Sequence, residues 1–439
     1  MTETTKTTQS ADPHDTRKRI FAIVASASGN LVEWYDFYIY AFASIYFANQ
    51  FYPSGNDEVA ALLKTAGIFF IGFLMRPIGG YIFGRIGDRY GRKKSMMISV
   101  VMMCLGSLII AFLPTYATWG NAAGVILLLV RMMQGLSVGG EYGTTATYMS
   151  EVALKGRRGF FSSFQYVTLV GGQLLAVLVV VILELFLDDN QIKAWGWRIP
   201  FVIGALTAII AFYLRRSLHE TSTENSRTSV EAGSLISLLK NHTRSFLLVV
   251  GFTSGGSLTF YTYTTYMQKY LVTTTGFSAK DANTMMLAAL FIFMILQPLF
   301  GLLADRIGTR TSLLMWSVLS IILTIPALSF IGSTHSELAA FFMIVVMLAV
   351  SCLYTSIGGI VKAEMFPASV RALGVGFSYA VANALFGGSA EYVALWFKNE
   401  GVGNYFYWYV TIMMVIAFVC AYKMKDARNG GYLQGHHID

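Results

Sequence analysis

Charge is scarce in this sequence. Asp, Glu, Lys and Arg make up 13% of its residues, against ~25% in a soluble globular protein. That deficit excludes an ordinary soluble domain. Histidine is also thin: His14, His219, His242, His335, His436 and His437 all fall in tails, loops or the ends of apolar runs. Carboxylates are then the available proton carriers inside any span. Cys104, Cys352 and Cys420 are scattered through apolar runs, with neither metal-ligand nor disulfide spacing. No nucleophile elbow, phosphate loop or metal cluster is present, so neither an enzyme nor a metal or cofactor is expected. The first 19 residues are polar and mixed in charge, and no small-residue cleavage site follows the first apolar run. That run is expected to stay in the membrane rather than leave as a signal peptide.

What the chain has instead is apolar length, with hydrophobic residues at 55%. A helix crosses the hydrocarbon with about 20 residues at ~1.5 Å each. Runs of that size recur at 20–48, 62–84, 95–114, 122–149, 160–187, 197–214, 246–271, 283–303, 311–331, 337–361, 372–397 and 403–422. Twelve membrane helices are therefore expected. Lys and Arg concentrate on one side, as in Arg17-Lys18-Arg19, 85–94, Lys155 to Arg158, Arg215-Arg216, Arg306, Arg310, Arg371 and Lys423 to Lys425. The opposite connections carry little positive charge, which places both termini in the cytoplasm. This distribution accounts for the net charge of +8 without a nucleic-acid partner.

The longest polar stretch lies midway. The expected organisation is a tail at 1–19, a bundle at 20–214, a linker at 215–245, a second bundle at 246–424 and a tail at 425–439. The halves are related. G-R-I-G-D-R-Y-G-R-K-K (84–94) aligns with G-L-L-A-D-R-I-G-T-R-T (301–311) at an offset of 217, matching Gly84, Asp88, Arg89 and Gly91 to Gly301, Asp305, Arg306 and Gly308. Glu151, Arg158, Phe164 and Tyr166 align with Glu364, Arg371, Phe377 and Tyr379 at an offset of 213. Two matches at nearly equal offsets indicate an internal duplication.

The first of these loops resembles the signature of the major facilitator superfamily, and R-M-M-Q-G-L-S-V-G-G-E-Y-G (131–143) resembles that superfamily's fourth-span pattern. W-Y-D-F-Y (34–38), G-F-L-M-R-P-I-G-G (72–80) and W-G-W-R-I-P-F (195–201) are similar to its metabolite:proton symporter branch. The likeness runs along essentially the whole chain except the tails and loops such as 185–194 and 273–284. It implies an all-α membrane protein of twelve helices in two six-helix bundles, in the bacterial inner membrane. The activity implied is proton-coupled import of an organic acid anion by a monomer working through alternating access. Finer matches, among them T-T-Y-M-Q-K-Y-L (264–271) and A-L-F-G-G-S-A-E-Y (384–392), point within the branch to alpha-ketoglutarate. Citrate, shikimate and a zwitterionic osmolyte are the alternatives. The osmolyte carriers of the branch have a long coiled-coil extension, and no heptads follow Lys425.

Few ionisable residues stand at membrane depth: Glu33, Asp36, Arg76, Arg131, Glu141 and Glu391. A charge at mid-membrane costs roughly 2.5–3.5 kcal/mol, so such groups mark a site or pair with one another. Burial favours a neutral carboxyl and a nearby guanidinium favours the anion; a group held between the two can take and release a proton. Asp36 comes first for that role, then Glu33 and Glu141, though each could instead be a packing contact. A dicarboxylate needs two cations, and Arg76 and Arg131 supply them with bidentate forks. Arg76 could equally hold Asp36. Tyr38, Gln165, Tyr166, Tyr263 and Lys269 complete the expected substrate site; the Tyr-rich stretch around the last two could also be helix packing. The loop residues Gly84, Asp88, Arg89, Gly91, Arg92, Glu151, Arg158, Asp305, Arg306, Glu364 and Arg371 form either a conformational latch or a plain topological signal.

Overall fold

A computed structural model describes residues 13–53, 55, 58–427 and 431–433. The first bundle contains α1 (Pro13–Phe51), α2 (Glu58–Tyr90), α3 (Arg92–Phe112), α4 (Asn121–Val152), α5 (Arg158–Phe186) and α6 (Ile199–Arg216). The second contains α7 (Thr243–Tyr263), α8 (Ala279–Ile307), α9 (Thr309–Ser333), α10 (Glu337–Thr355), α11 (Arg371–Ala382) and α12 (Tyr405–Lys423). No strand occurs among the described residues.

Eight of these helices, some with a short continuation, are long and apolar enough to cross a membrane. The other four, α1, α2, α7 and α11, carry charged or small polar residues or are interrupted. After a break at Thr264, α7 continues as Thr265–Tyr270. Past Ala382, α11 runs through a π-helical turn, Asn383–Gly387, into Ala390–Asn399. Such turns often accompany functional sites. A short helix, Gly358–Ala363, prolongs α10. Leu129, Ile210, Ile322 and Ile412 are exposed on the outer faces, as lipid-facing residues would be.

Within the first bundle α2 packs on α4, α1 on α5 and α3 on α6; in the second, α12 packs on α7 and α9, and α10 on α8 and α9. The bundles meet through α2 with α11, α5 with α8, and α4 with α11. Small residues make these seams close. A Cβ on Gly139 would fall 2.2 Å from the Arg76 carbonyl, and one on Gly143 would fall 2.3 Å from Gly376 Cα. These glycines let α4 touch α2 on one side and α11 on the other.

The repeated loops lie at one end of the molecule, here the loop face. Gly91 and Gly308, related by the repeat, hold φ of 112° and 94°, a left-handed conformation that favours glycine. The polar linker is ordered there: Glu220 accepts from the amides of Arg92 (2.9 Å) and Lys93 (3.2 Å), at the start of α3. Its amphipathic part forms a helix, Leu235–Asn241, that buries Leu238. α6 extends to Arg216, so Arg215 is the last turn of a membrane helix rather than the first linker residue.

Candidate functional site

Glu33 and Glu141 are linked in one buried network through Ser137 and Ser99, while neither carboxylate oxygen of Asp36 has a hydrogen-bond partner. Ser137 Oγ donates to Glu33 Oε1 at 2.6 Å. Glu141 accepts from Ser99 Oγ (2.6 Å) and Thr145 Oγ1 (2.7 Å), and forms an ion pair with Arg215 from α6. Arg215 also donates to the carbonyls of Met96 (3.0 Å) and Ser26. The cation paired with Glu141 is thus Arg215, not Arg131. Asp36 packs against α6 where Gly204 leaves room, since a Cβ there would fall 2.2 Å from Oδ1. It lies beside Ser107 and within electrostatic reach of Arg131.

The two predicted cations differ. Arg131 donates to Gln134 Oε1 (2.8 Å) and its guanidinium stands 4.1 Å over the Tyr40 ring. Arg76 rests on Phe73, Phe37 and Trp34 at 4.0, 4.5 and 5.2 Å, a cation–π cradle, while both its terminal nitrogens lack hydrogen-bond partners. Buried guanidinium donors are rarely left so. Arg76 is within electrostatic reach of Tyr38 and of Tyr379 on α11; it does not form an ion pair with Asp36. Both arginines are buried and border one small cavity with Gln134 and Phe37.

Tyrosines fill the seam between the bundles. Tyr142 of α4 stacks on Tyr379 of α11 with ring centroids 3.5 Å apart. Tyr166 packs edge-on against Phe260 at 5.8 Å. Phe73 meets Tyr261 at 6.5 Å. The side-chain amides of Gln165 and Asn383 and the Tyr261 hydroxyl have no hydrogen-bond partner.

The loop face is tied across the seam. Asp88 accepts from the amides of Ala372 and Leu373, both at 2.9 Å, and pairs with Arg92 at 3.1 Å. Glu151 bridges Arg92 (3.3 Å) and Arg371 (2.7 Å). Asp305 accepts from the amides of Gly159 (2.6 Å) and Phe160 (2.9 Å). Glu364 accepts from Thr309 Oγ1 at 3.0 Å. Arg158 and Arg371 donate to the carbonyls of Leu433 (2.8 Å) and Tyr432 (3.2 Å), drawing the C-terminal segment into the same junction.

Of the predicted residues, Glu33, Asp36, Arg76, Arg131, Glu141, Tyr38, Gln165 and Tyr166 are all buried toward the middle of the molecule. Tyr263 faces α9 inside its own bundle, its hydroxyl 3.5 Å from Thr324 Oγ1. Tyr261, two residues earlier, takes the seam. Lys269 lies on Thr265–Tyr270, but its side chain, like that of Glu391, is outside the described residues. Gly84 lies against Leu373 of α11. Arg89 and Arg306 are exposed and stand apart from the loop-face network. Sequence reading missed Lys362, which is fully buried among Tyr142, Tyr354 and Tyr379. Its signal was available: residues 354, 358 and 362 share one helical face.

Comparison with known proteins agrees with this architecture. The sugar (and other) transporter family matches residues 21–223 and 215–426, one half each. The alpha-ketoglutarate permease of Escherichia coli (strain K12) is 60% identical over 431 residues, covering 98% of this chain and 99% of that protein. A proline/betaine transporter of Salmonella typhimurium is 31% identical, covering 93% and 84%. A citrate-proton symporter of Salmonella typhi is 33% identical, covering 84% and 85%. Among solved structures, a double-Trp mutant of XylE superposes with a TM-score of 0.78 at 17% identity, covering 94% and 97% of the chains. The E. coli fucose:proton symporter FucP gives 0.68 at 14%, covering 92% and 99%. The chain is a multi-pass membrane protein with the major facilitator fold, not an enzyme, and it belongs to the sugar (and other) transporter family.

Proposed function

We propose that this protein is a proton-coupled symporter that imports alpha-ketoglutarate by alternating access. The observation that carries the reading is 60% identity to a permease for that acid, along almost the full length of both chains. The citrate and proline/betaine carriers are about half as similar. The site is consistent with an acidic cargo. Arg76 offers two unpaired donors at the seam beside Tyr38, and Gln165 and Tyr166 are buried in the same bundle. Arg131 stands between the Arg76 cavity and Asp36, so it can sense both the substrate carboxylate and the proton. Asp36 is the proton carrier in this scheme, and Glu33 and Glu141 poise it through the same bundle.

The loop face is the cytoplasmic face, by the excess of Lys and Arg there. In the arrangement described it is closed by Asp88, Asp305 and the Arg92–Glu151–Arg371 network. Opening it releases substrate and proton inward. Every group invoked comes from one chain, which acts as a monomer in the bacterial inner membrane. The test is uptake of labelled alpha-ketoglutarate into proteoliposomes under an imposed pH gradient, with citrate, succinate and proline as competitors. Accumulation that collapses with the gradient and resists proline is expected. Uptake driven equally well without the gradient, or competed equally by proline, would defeat the reading.

A further inference from the structure

Lys362 is a fully buried cation. Its ammonium donates to Tyr142 Oη (2.9 Å), Tyr354 Oη (3.0 Å) and the Gly358 carbonyl (2.8 Å), and it lies 5.0–5.3 Å from the centroids of Tyr354, Tyr142 and Tyr379. All of these partners are neutral, and no carboxylate pairs with it among the described residues. Three other buried cations are matched by carboxylates: Arg92 and Arg371 share Glu151, and Arg215 holds Glu141. Arg131 has no ion pair but donates to Gln134 and stacks on Tyr40, whereas both terminal nitrogens of Arg76 are unsatisfied. A lone buried charge is costly until an opposite charge joins it.

Arg76 and Lys362 stand in opposite bundles. Tyr379 lies beside both, within electrostatic reach of Arg76 and in the ring cage of Lys362. The stacked Tyr142–Tyr379 pair closes the seam between them. Gly358 lines the ammonium's pocket, where a Cβ would sit in ordinary contact with Tyr142 Oη (3.4 Å) and Lys362 Nζ (3.5 Å).

We propose that Lys362 binds one carboxylate of a dicarboxylate whose other carboxylate lies on Arg76, so that the substrate bridges the two bundles. This inference rests on the organic-acid reading above. Two negative charges on a short chain match two positive ones across the seam. To reach them, the substrate parts the stacked tyrosines and takes hydrogen bonds from hydroxyls that now accept from Lys362. Binding neutralises a charge in each half and thereby draws the halves together around the cargo. The same pair rejects zwitterions, because an ammonium or quaternary nitrogen would face a fixed cation at either end.

The experiment compares binding of alpha-ketoglutarate with 2-oxopentanoate, the same chain without its distal carboxylate, on the purified protein in detergent. Wild type should prefer the dicarboxylate strongly. Losing one member of a buried charge pair typically weakens binding on the order of 100-fold. Lys362→Met should therefore weaken alpha-ketoglutarate about 100-fold and leave 2-oxopentanoate nearly unchanged, and Lys362→Arg should restore part of the preference. An equal loss for both ligands would mark Lys362 as structural and overturn the proposal. An unchanged preference in Lys362→Met would overturn it also, while leaving the cargo intact. No binding of alpha-ketoglutarate to wild type would remove the cargo and the inference together. Should the Met variant not fold, acetylation of Lys362 in wild type decides. Protection by alpha-ketoglutarate but not by 2-oxopentanoate is expected, and equal labelling would sink the idea.

Discussion

Asp88 and Asp305 stand at the same place in the two halves and make the same contact across the molecule. Each carboxylate accepts the first backbone amides of a helix in the opposite bundle, Ala372 and Leu373 for Asp88, Gly159 and Phe160 for Asp305. The acceptors differ by 217 and the donors by 213, the two offsets of the sequence repeat. A carboxylate at a helix N-terminus satisfies free amides and meets the positive end of the helix dipole. The two seams are nevertheless unequal. Arg92, Glu151 and Arg371 surround Asp88, whereas Thr309 stands at the repeat position of Arg92 and leaves Glu364 without that cation.

Asp88→Asn should therefore open the loop face more than Asp305→Asn does. The amide keeps one acceptor but loses the charge that holds both the α11 amides and Arg92. A capping loss of about 1–2 kcal/mol shifts the closed-to-open equilibrium by roughly 5- to 30-fold. Cysteines engineered into the seam at the loop face should label correspondingly faster in Asp88→Asn, with slower net uptake. Asp305, already half-exposed, should show a smaller change. Unaltered labelling and transport in both variants would reduce the loops to topological signals.

Glu364 gives that junction a pH dependence. Burial pushes its carboxyl up to about 7, against the opposing hydrogen bond from Thr309 and the charge of Arg158, with Asp426 and Asp305 adding to the rise. The folded junction thus binds a proton more tightly than an unfolded Glu does. Its stabilising contribution is complete below about 4.5 and is lost as pH rises through about 7. The loss is at most ~3 kcal/mol for a group this buried. Thermal stability of the purified protein should fall between pH 5 and pH 8, and Glu364→Gln should flatten that slope. A slope unchanged in the Gln variant would assign the dependence to other groups.

Much of this was legible in the sequence because it depends on chain-local patterns. Span length, the Lys and Arg asymmetry and the doubled loop each report the fold directly, and Asp88 of that loop both caps α11 and pairs with Arg92. The partner choices were not legible. Arg215 counted as a loop cation because it falls one residue past an apolar run, yet the helix continues two residues further, to Arg216, and carries it inside to Glu141. Lys362 was hidden by the same boundary error at the end of α10. Tyr263 and Tyr261 share a segment, and which of them meets the seam depends on the rotation of α7, which composition alone does not set.

The Glu141–Arg215 pair separates structure from coupling. Removing one partner of a buried ion pair costs about 3–5 kcal/mol because the other charge is left uncompensated. Arg215→Met should lower the melting temperature sharply, and the double variant Glu141→Gln/Arg215→Met should recover most of it. If Glu141 also carries protons, the recovered double variant will exchange alpha-ketoglutarate but fail to accumulate it. Full uphill uptake by the double variant would leave Glu141 a purely structural role.

Asp36 provides the sharpest test of proton coupling, because its surroundings are so confined. It sits against α6 at Gly204, beside Ser107, with Arg131 as the nearby cation. A carboxyl in such a place changes charge only when the bundle lets water or a proton donor reach it, which is what a coupled step requires. Asn has the same shape and cannot change charge. Asp36→Asn is thus expected to abolish accumulation driven by a pH gradient while leaving exchange of internal for external alpha-ketoglutarate. Gly204→Ala places a methyl 2.2 Å from Oδ1, so Asp36 must move; coupling should weaken with the carboxylate still present. The two variants together distinguish position from charge. Uphill uptake at the wild-type level in Asp36→Asn would remove Asp36 from the mechanism and leave Glu33, held by Ser137, as the carboxylate to examine.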